Sequence, residues 1–202
     1  MRMPLLKNLR GLSVLVLHPA NGEGQILVDH IKRIGCRVEA QWPIPKVLPP
    51  TADVVFLSVD HEWRAEISRL VRGLVGIPPA IVAIVDYENP STLEILFEIE
   101  ALAAMERPVR PFGVLTNLLL ARGLWLERIE QQKRLTKLER KLSSMQKIQK
   151  AKSILMSLQP IGEDAAYQSI RRQAMAKRVS MEEIATAIIN ANDLLHSPRE
   201  DG

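Results

Sequence analysis

The chain has 202 residues, 47% of them hydrophobic and 25% charged, which is enough apolar material for a folded core and too much for a disordered polymer. Its formal charge of +4 is unevenly placed: residues 1–113 carry 12 Lys/Arg against 13 Asp/Glu, residues 114–202 carry 15 against 10, and the window 122–178 carries 14 against 5. One cysteine, Cys36, excludes an intramolecular disulfide, and four histidines without ligand spacing leave no metal site or cofactor to expect.

The first apolar run, residues 12–17 (LSVLVL), lies between Gly11 and Pro19 and is far too short to span a bilayer. No cleavage signature accompanies it, so the expected location is the cytoplasm, with no membrane contact. Residues 53–59 (DVVFLSV) and 80–85 (AIVAIV) repeat the pattern of short, β-branched, nearly continuous apolar runs, the mark of strands buried on both faces. Amphipathic stretches at 24–35, 65–75 and 91–102 separate them, and Gly35 stops the first. Short pieces at 36–42 and 103–108 complete a β-α alternation. Parallel strands need crossover helices, so residues 1–113 are predicted to form a doubly wound α/β domain with a parallel sheet of about five strands. Cys36, in the sequence IGCRV, is expected to pack as a small hydrophobe.

In length, strand rhythm and the terminal Arg107-Pro108, this segment resembles the receiver domain of response regulators. The residues that carry receiver chemistry are replaced. The acidic pair that follows the first strand in receivers corresponds to His18-Pro19, the phospho-acceptor aspartate to Ser58, the switch Thr/Ser to Val85, and the lysine before proline to Arg107. A hydroxyl at 58 cannot form an acyl phosphate, and without the acidic pair no cage of hard oxygens exists for magnesium. The resemblance therefore implies a pseudo-receiver with a degenerate phosphorylation site, regulated by protein contact. Asp60, two residues late on the same strand face, is the one alternative acceptor.

Residues 114–150 contain no proline and are rich in Leu, Glu, Lys, Gln and Arg, so they read as one long helix. Residues 114–125 are placed to cover the receiver as its last helix. Beyond them, Leu135, Leu138, Leu142 and Met145 follow a 3-4-3 spacing, a narrow seam suited to a dimeric coiled coil, although Ile129 falls one residue out of register. The alternative is an amphipathic helix packed back on its own receiver.

Residues 146–197 read as a three-helix module. Ile148, Ala151, Leu155 and Leu158 recur at helical spacing, and residues 159–162 (QPIG) end that helix. Glu163 and Asp164 open the next, whose expected apolar face is Ala166, Ile170, Ala174 and Met175. Ser180 and Glu183 have capping-box spacing and open a third, with Ile184, Ala187, Ile188, Ala191 and Leu195 expected to face inward. Met156 is likewise read as core. The run 151–156 (AKSILM), then Ala165, Ala166 and Tyr167, then Arg171, then Ala174 and Met175, resembles the ANTAR module of transcription antiterminators in order and spacing; Ser153 stands where that family usually has glycine. The whole arrangement of pseudo-receiver, long helix and ANTAR module is similar to regulators of that family. The resemblance implies an RNA-binding regulator acting on hairpins of leader mRNA, held in check by a ligand sensor like a periplasmic binding protein.

The residues point the same way from their chemistry. Lys150, Lys152, Arg171, Arg172, Lys177 and Arg178 are placed to meet phosphates, with the arginines able to bind in bidentate fashion. Tyr167 is a stacking group for an unpaired base or, alternatively, a buried packing residue. A solvated charged face is the plainer alternative for Arg171 and Arg172. A DNA-binding response regulator with a helical output domain and a coiled-coil scaffold without nucleic acid are the competing functions. No nucleophile–base pair or phosphate loop argues for an enzyme.

Overall fold

The strands form where β-branched apolar runs are bounded by turn residues: β1 Ser13–Leu17, β2 Arg37–Gln41, β3 Val54–Ser58, β4 Ala80–Val85 and β5 Ala103–Glu106. The computed structural model of the chain describes residues 9–74, 76–86 and 91–196. Residues 1–8, Val75 at the end of the second expected helix, and residue 197 at the end of the expected module lie outside the described residues. The five strands make one parallel sheet in the order β2-β1-β3-β4-β5. The order reverses direction at β1, so the carboxyl ends of β1 and β3 flank the crevice where doubly wound folds place their sites.

Strand alternation sorts the core into two layers. On one face Leu15, Leu17, Val55, Leu57, Ile81 and Ala83 meet Ile67 and Leu70 of helix α2 (Arg64–Arg72) and Ile95 of α3 (Ser91–Glu98). On the other, Val14, Val16, Phe56, Val82 and Ile84 meet Leu27 and Ile31 of helix α1 (Gly22–Ile34) and Val114, Leu118 and Ala121 of helix α4 (Pro111–Leu158). Burial on both faces holds for β1, β3 and β4. The edge strand β2 is largely exposed, with Arg37, Glu39 and Gln41 keeping its open side polar. Helix α1 is fixed at both ends, by the Asn21 side chain accepting from the Gly24 amide and by Gly35 at φ +99°, which returns its own amide to the Ile31 and Lys32 carbonyls. Cys36 is buried, its thiol 3.3 Å from the Leu9 carbonyl, and burial raises its pKa.

Helix α4 has 48 residues, because the stretches read as separate helices at 114–150 and 146–158 are continuous. Nothing between Pro111 and Pro160 breaks it, and Pro111 itself suits a first helical position. The chain divides into two compact units, one through Glu130 and one from Gln131. The α/β unit extends past residue 113 because the first turns of α4 complete its core. Trp125 also donates from Nε1 to the Pro78 carbonyl at 2.7 Å, and the Arg122 guanidinium lies 4.5 Å over the Trp125 ring and 3.6 Å from Asp53. The break in heptad register near Trp125–Ile129 thus has a cause: these residues serve the α/β unit.

The second unit is built from the last turns of α4, α5 (Glu163–Lys177) and α6 (Met181–His196). Its core is small: Ala151, Ile170, Ala174, Ile184 and Ala185 are buried, with Ile148, Leu155, Met181 and Ile188 packed around them. The alanines allow close helix approach. Several inward assignments are corrected. Met175 is exposed, as are Met156, Ala187, Ala191 and Leu195, while Ala185 and Met181 supply the inward face of α6 instead. By helical angle Ala187 and Ala191 lie to one side of the stripe set by Met181, Ile184 and Ile188, whereas Leu195 keeps the angle of that stripe but comes in the last turns of α6, past Ile189, the last residue packed on this core.

Candidate functional site

At the carboxyl ends of β1 and β3 the structure gathers three of the four residues assigned to the degenerate site, His18, Ser58 and Arg107, around a fourth side chain, Glu23. Ser58 and His18 are buried. Arg107 donates from Nη2 to Ser58 Oγ, and its Nε lies 3.6 Å from Glu23 Oε2. His18 Nε2 is 3.5 Å from the same carboxylate oxygen, and its Nδ1 is 3.0 Å from the Pro19 carbonyl. The Val109 amide donates to Glu23 Oε1 at 2.9 Å. One carboxylate from the first turn of α1 therefore ties the β5–α4 connection to the ends of β1 and, through Arg107, β3. Gly24 permits this closeness: a Cβ there would stand 2.8 Å from the Pro19 carbonyl oxygen and 3.0 Å from His18 Nδ1. Val85 ends β4 beside this network, and its carbonyl accepts from the Arg107 amide at 3.2 Å. Asp60 is engaged elsewhere; its Oδ1 accepts from the Glu62 amide at 3.2 Å and caps the 3-10 turn His61–Trp63.

The chemical consequence is that a guanidinium, and not a cluster of carboxylates, faces Ser58 at this end of the sheet. Hard cations need several oxygen ligands, whereas the single carboxylate here is already shared between Arg107, His18 and a backbone amide. Among the described residues no group of three or more His, Cys, Asp or Glu is placed to hold a metal.

In the second unit, capping box and charge pairs organise the helices. Ser180 Oγ accepts from the Glu183 amide at 3.1 Å while Glu183 Oε2 accepts from the Ser180 amide at 2.7 Å, which lowers the pKa of Glu183. Three lysines in the last turns of α4 are turned to internal use. Lys147 pairs with Glu182 at 2.6 Å, Lys150 lies 3.8 Å from Asp193, and Lys152, mostly covered, bonds Glu163. The hydrogen bond from Lys152, and then its charge, lower the pKa of Glu163. Arg171, Arg172, Lys177 and Arg178 are exposed on α5 and its carboxyl end, with no side-chain ion pair among the described residues. Tyr167 is exposed beside them. Arg178 takes the left-handed conformation at φ +55° that ends α5, its amide serving the Ala174 and Met175 carbonyls. Leu135, Leu138, Leu142 and Met145 on α4 are all more than half exposed.

Two family descriptions match the chain: AmiR, N-terminal, over residues 12–122, and the ANTAR domain over residues 136–189. The aliphatic amidase regulator of Pseudomonas aeruginosa is 33% identical over 187 residues, which is 92% of this chain and 94% of that one. The chain belongs to the AmiR family. Among solved structures, NtrX of Brucella abortus in complex with ATP is similar with a TM-score of 0.50 at 12% identity, covering 71% of this chain and 35% of that one. A response regulator receiver protein of Burkholderia phymatum is similar with a TM-score of 0.45 at 16% identity, over 55% of this chain and 95% of that one.

The AmiR-family segment ends at residue 122 and the ANTAR segment begins at 136, leaving between them the stretch in which the heptad register breaks. Within the AmiR-type unit, Glu23 is the residue that sequence reasoning missed. The available signal was an acid in the first turn of the helix after β1, which reads equally as ordinary compensation of the helix dipole. In the ANTAR segment the positions named for RNA divide in two: Lys150 and Lys152 pair with carboxylates, while Tyr167, Arg171, Arg172, Lys177 and Arg178 share the exposed side of α5 and its end.

Proposed function

We propose that the chain is an antitermination regulator that binds hairpins of leader mRNA in the cytoplasm as a homodimer, and that a ligand-sensing partner protein controls it by sequestration, without phosphorylation. The observation that carries the RNA reading is the set of four exposed cations, Arg171, Arg172, Lys177 and Arg178, on the ANTAR-matched α5 and its carboxyl end, which have no ion pair among the described residues. Unpaired cations on a rigid helix retain their full capacity for phosphates. On α4, Lys152 and Lys150 instead face Glu163 and Asp193.

The exposed seam of Leu135, Leu138, Leu142 and Met145 supports the dimer, because a narrow leucine stripe on a long charged helix is the coiled-coil pattern. Two modules on one dimer engage two hairpins together, raising affinity by about a hundredfold or more without new contacts. The Arg107–Glu23–His18 network supports control without phosphorylation, since Ser58 faces a guanidinium and not the groups that phosphoryl transfer needs. The experiment is side-by-side binding of the operon's leader RNA and its promoter duplex to the full chain. Tighter binding of the leader RNA is expected; preference for the duplex would make the chain a DNA-binding regulator and overturn the reading.

A further inference from the structure

The outer face of α2 carries a charge that the α/β unit as a whole does not. Residues 1–113 hold 12 Lys/Arg against 13 Asp/Glu. Yet Arg64, Ala65, Ser68, Arg69 and Arg72 line one open hollow of about 650 Å³, with Glu62 the one carboxylate on it. At 100° per residue the five α2 positions fall within about 140° of arc, on the side away from the buried Ile67 and Leu70. Ala65 and Ser68 are short and leave room between the guanidinium side chains. Arg64 is held by Glu94 at 3.2 Å. Arg69 and Arg72 are exposed and have no ion pair among the described residues. Glu66, three residues before Arg69 and within reach of it on a helix, keeps Oε2 buried with no hydrogen-bond partner. Compensation of the helix dipole suits Arg69 and Arg72 in the last turn of α2, but it does not account for Arg64 in the first.

We propose that this face of α2 holds phosphates of the RNA backbone, giving the regulator a second contact with leader RNA in its α/β unit. The proposal rests on the RNA reading above and extends it beyond α5. Arg69 and Arg72 stand one turn apart, about 4.5 Å in rise, so their guanidinium groups can hold neighbouring phosphates while the Ser68 hydroxyl donates between them. The lining favours a nucleic-acid backbone over a protein. Protein interfaces centre on apolar and aromatic anchors. Here Ile67 and Leu70 are turned into the core, and the hollow presents charged or polar side chains and one alanine. No aromatic or amide side chain lines it to read a base, since the nearby Trp63 packs edge-on against Trp42 at 5.1 Å. The contact is therefore independent of sequence: it adds affinity and salt dependence, and leaves specificity to the ANTAR segment.

The test measures binding of the full chain, across a salt series, to the operon's leader RNA and to an RNA hairpin of the same length and scrambled sequence. Arg69→Gln combined with Arg72→Gln is expected to weaken both RNAs by the same factor, about tenfold, and to lower the salt slope by about two. Lys32→Gln combined with Arg33→Gln removes the same charge from α1, on the opposite face of the sheet, and is expected to bind as the wild type does. All four side chains are exposed, so neither pair of changes disturbs a core, and unchanged circular dichroism verifies this. Equal weakening by both pairs assigns the effect to net charge and overturns the α2 site. A loss confined to the leader RNA overturns the backbone contact in favour of sequence reading. Wild-type binding of both RNAs by the Arg69 and Arg72 variant overturns the site as well, including the case in which that variant loses a protein partner instead. A wild-type chain that binds neither RNA overturns the RNA function itself.

Discussion

Ser180 and Glu183 close the capping box that starts α6, and both bonds of the box are made. Ser180→Ala is expected to cost about 1 kcal/mol of stability, read as a lower midpoint in the thermal unfolding of the second unit. The pH dependence has a definite sign. Hydrogen bonds from the Ser180 amide, and then from its hydroxyl, lower the pKa of Glu183 in the folded state from the ordinary 4.5. A depressed carboxylate contributes stability that is present above its unfolded pKa and lost as pH falls through the folded value. The stability difference between wild type and Glu183→Gln is therefore expected at pH 7 and absent after acid titration below the ordinary glutamate range; a difference that grows on acidification would contradict the bond. This cap was legible from Ser180 and Glu183 three residues apart. Glu23 was not legible in the same way, since its role depends on Arg107 and Val109, which arrive from the far end of the α/β unit.

Among the elements, α4 departs most from a single pattern. Over its full length no one face is consistently apolar, because its first turns bury Val114, Leu118 and Ala121 against the sheet while later turns expose Leu135, Leu138, Leu142 and Met145. Leu138→Asp places a charge in the exposed seam. It is expected to leave helix content unchanged and convert the dimer to a monomer in analytical ultracentrifugation, with RNA affinity falling by about a hundredfold as paired binding is lost. A dimer that survives this change would move the interface elsewhere. A helix-breaking proline at the same position is expected to abolish activity as well, through the missing amide and the clash with the preceding turn. The stripe of leucines was readable from spacing alone. The end of the α/β unit at Glu130 was not, because Arg122 and Trp125 look like ordinary helix residues until Asp53 and the Pro78 carbonyl are brought beside them.

For the molecule as a whole, the proposed mode of control rests on reading His18, Ser58, Val85 and Arg107 as a degenerate receiver site. Incubation with acetyl phosphate and magnesium is expected to add no phosphoryl mass to the chain, and Ser58→Ala is expected to leave antitermination intact in a reporter assay. Phosphorylation at Asp60, or loss of activity in Ser58→Ala, would overturn control by sequestration. The same reading expects a ligand-sensing protein to co-purify with the chain and to dissociate when its small molecule is added.

The order of strands and helices, the long helix and the ANTAR pattern were set by local features of the sequence: β-branched runs between turn residues, helical spacing of leucines, glycine and proline at the breaks, and a capping box. Such features act over a few residues and survive being read in one dimension. Tertiary structure decided which side chains meet across the chain. It placed Glu23 between His18 and Arg107, turned Lys147, Lys150 and Lys152 of α4 toward Glu182, Asp193 and Glu163, and left Met175 on the solvent side of α5. Those outcomes depend on which residues far apart in sequence come to lie side by side, and that is set only when the chain has folded.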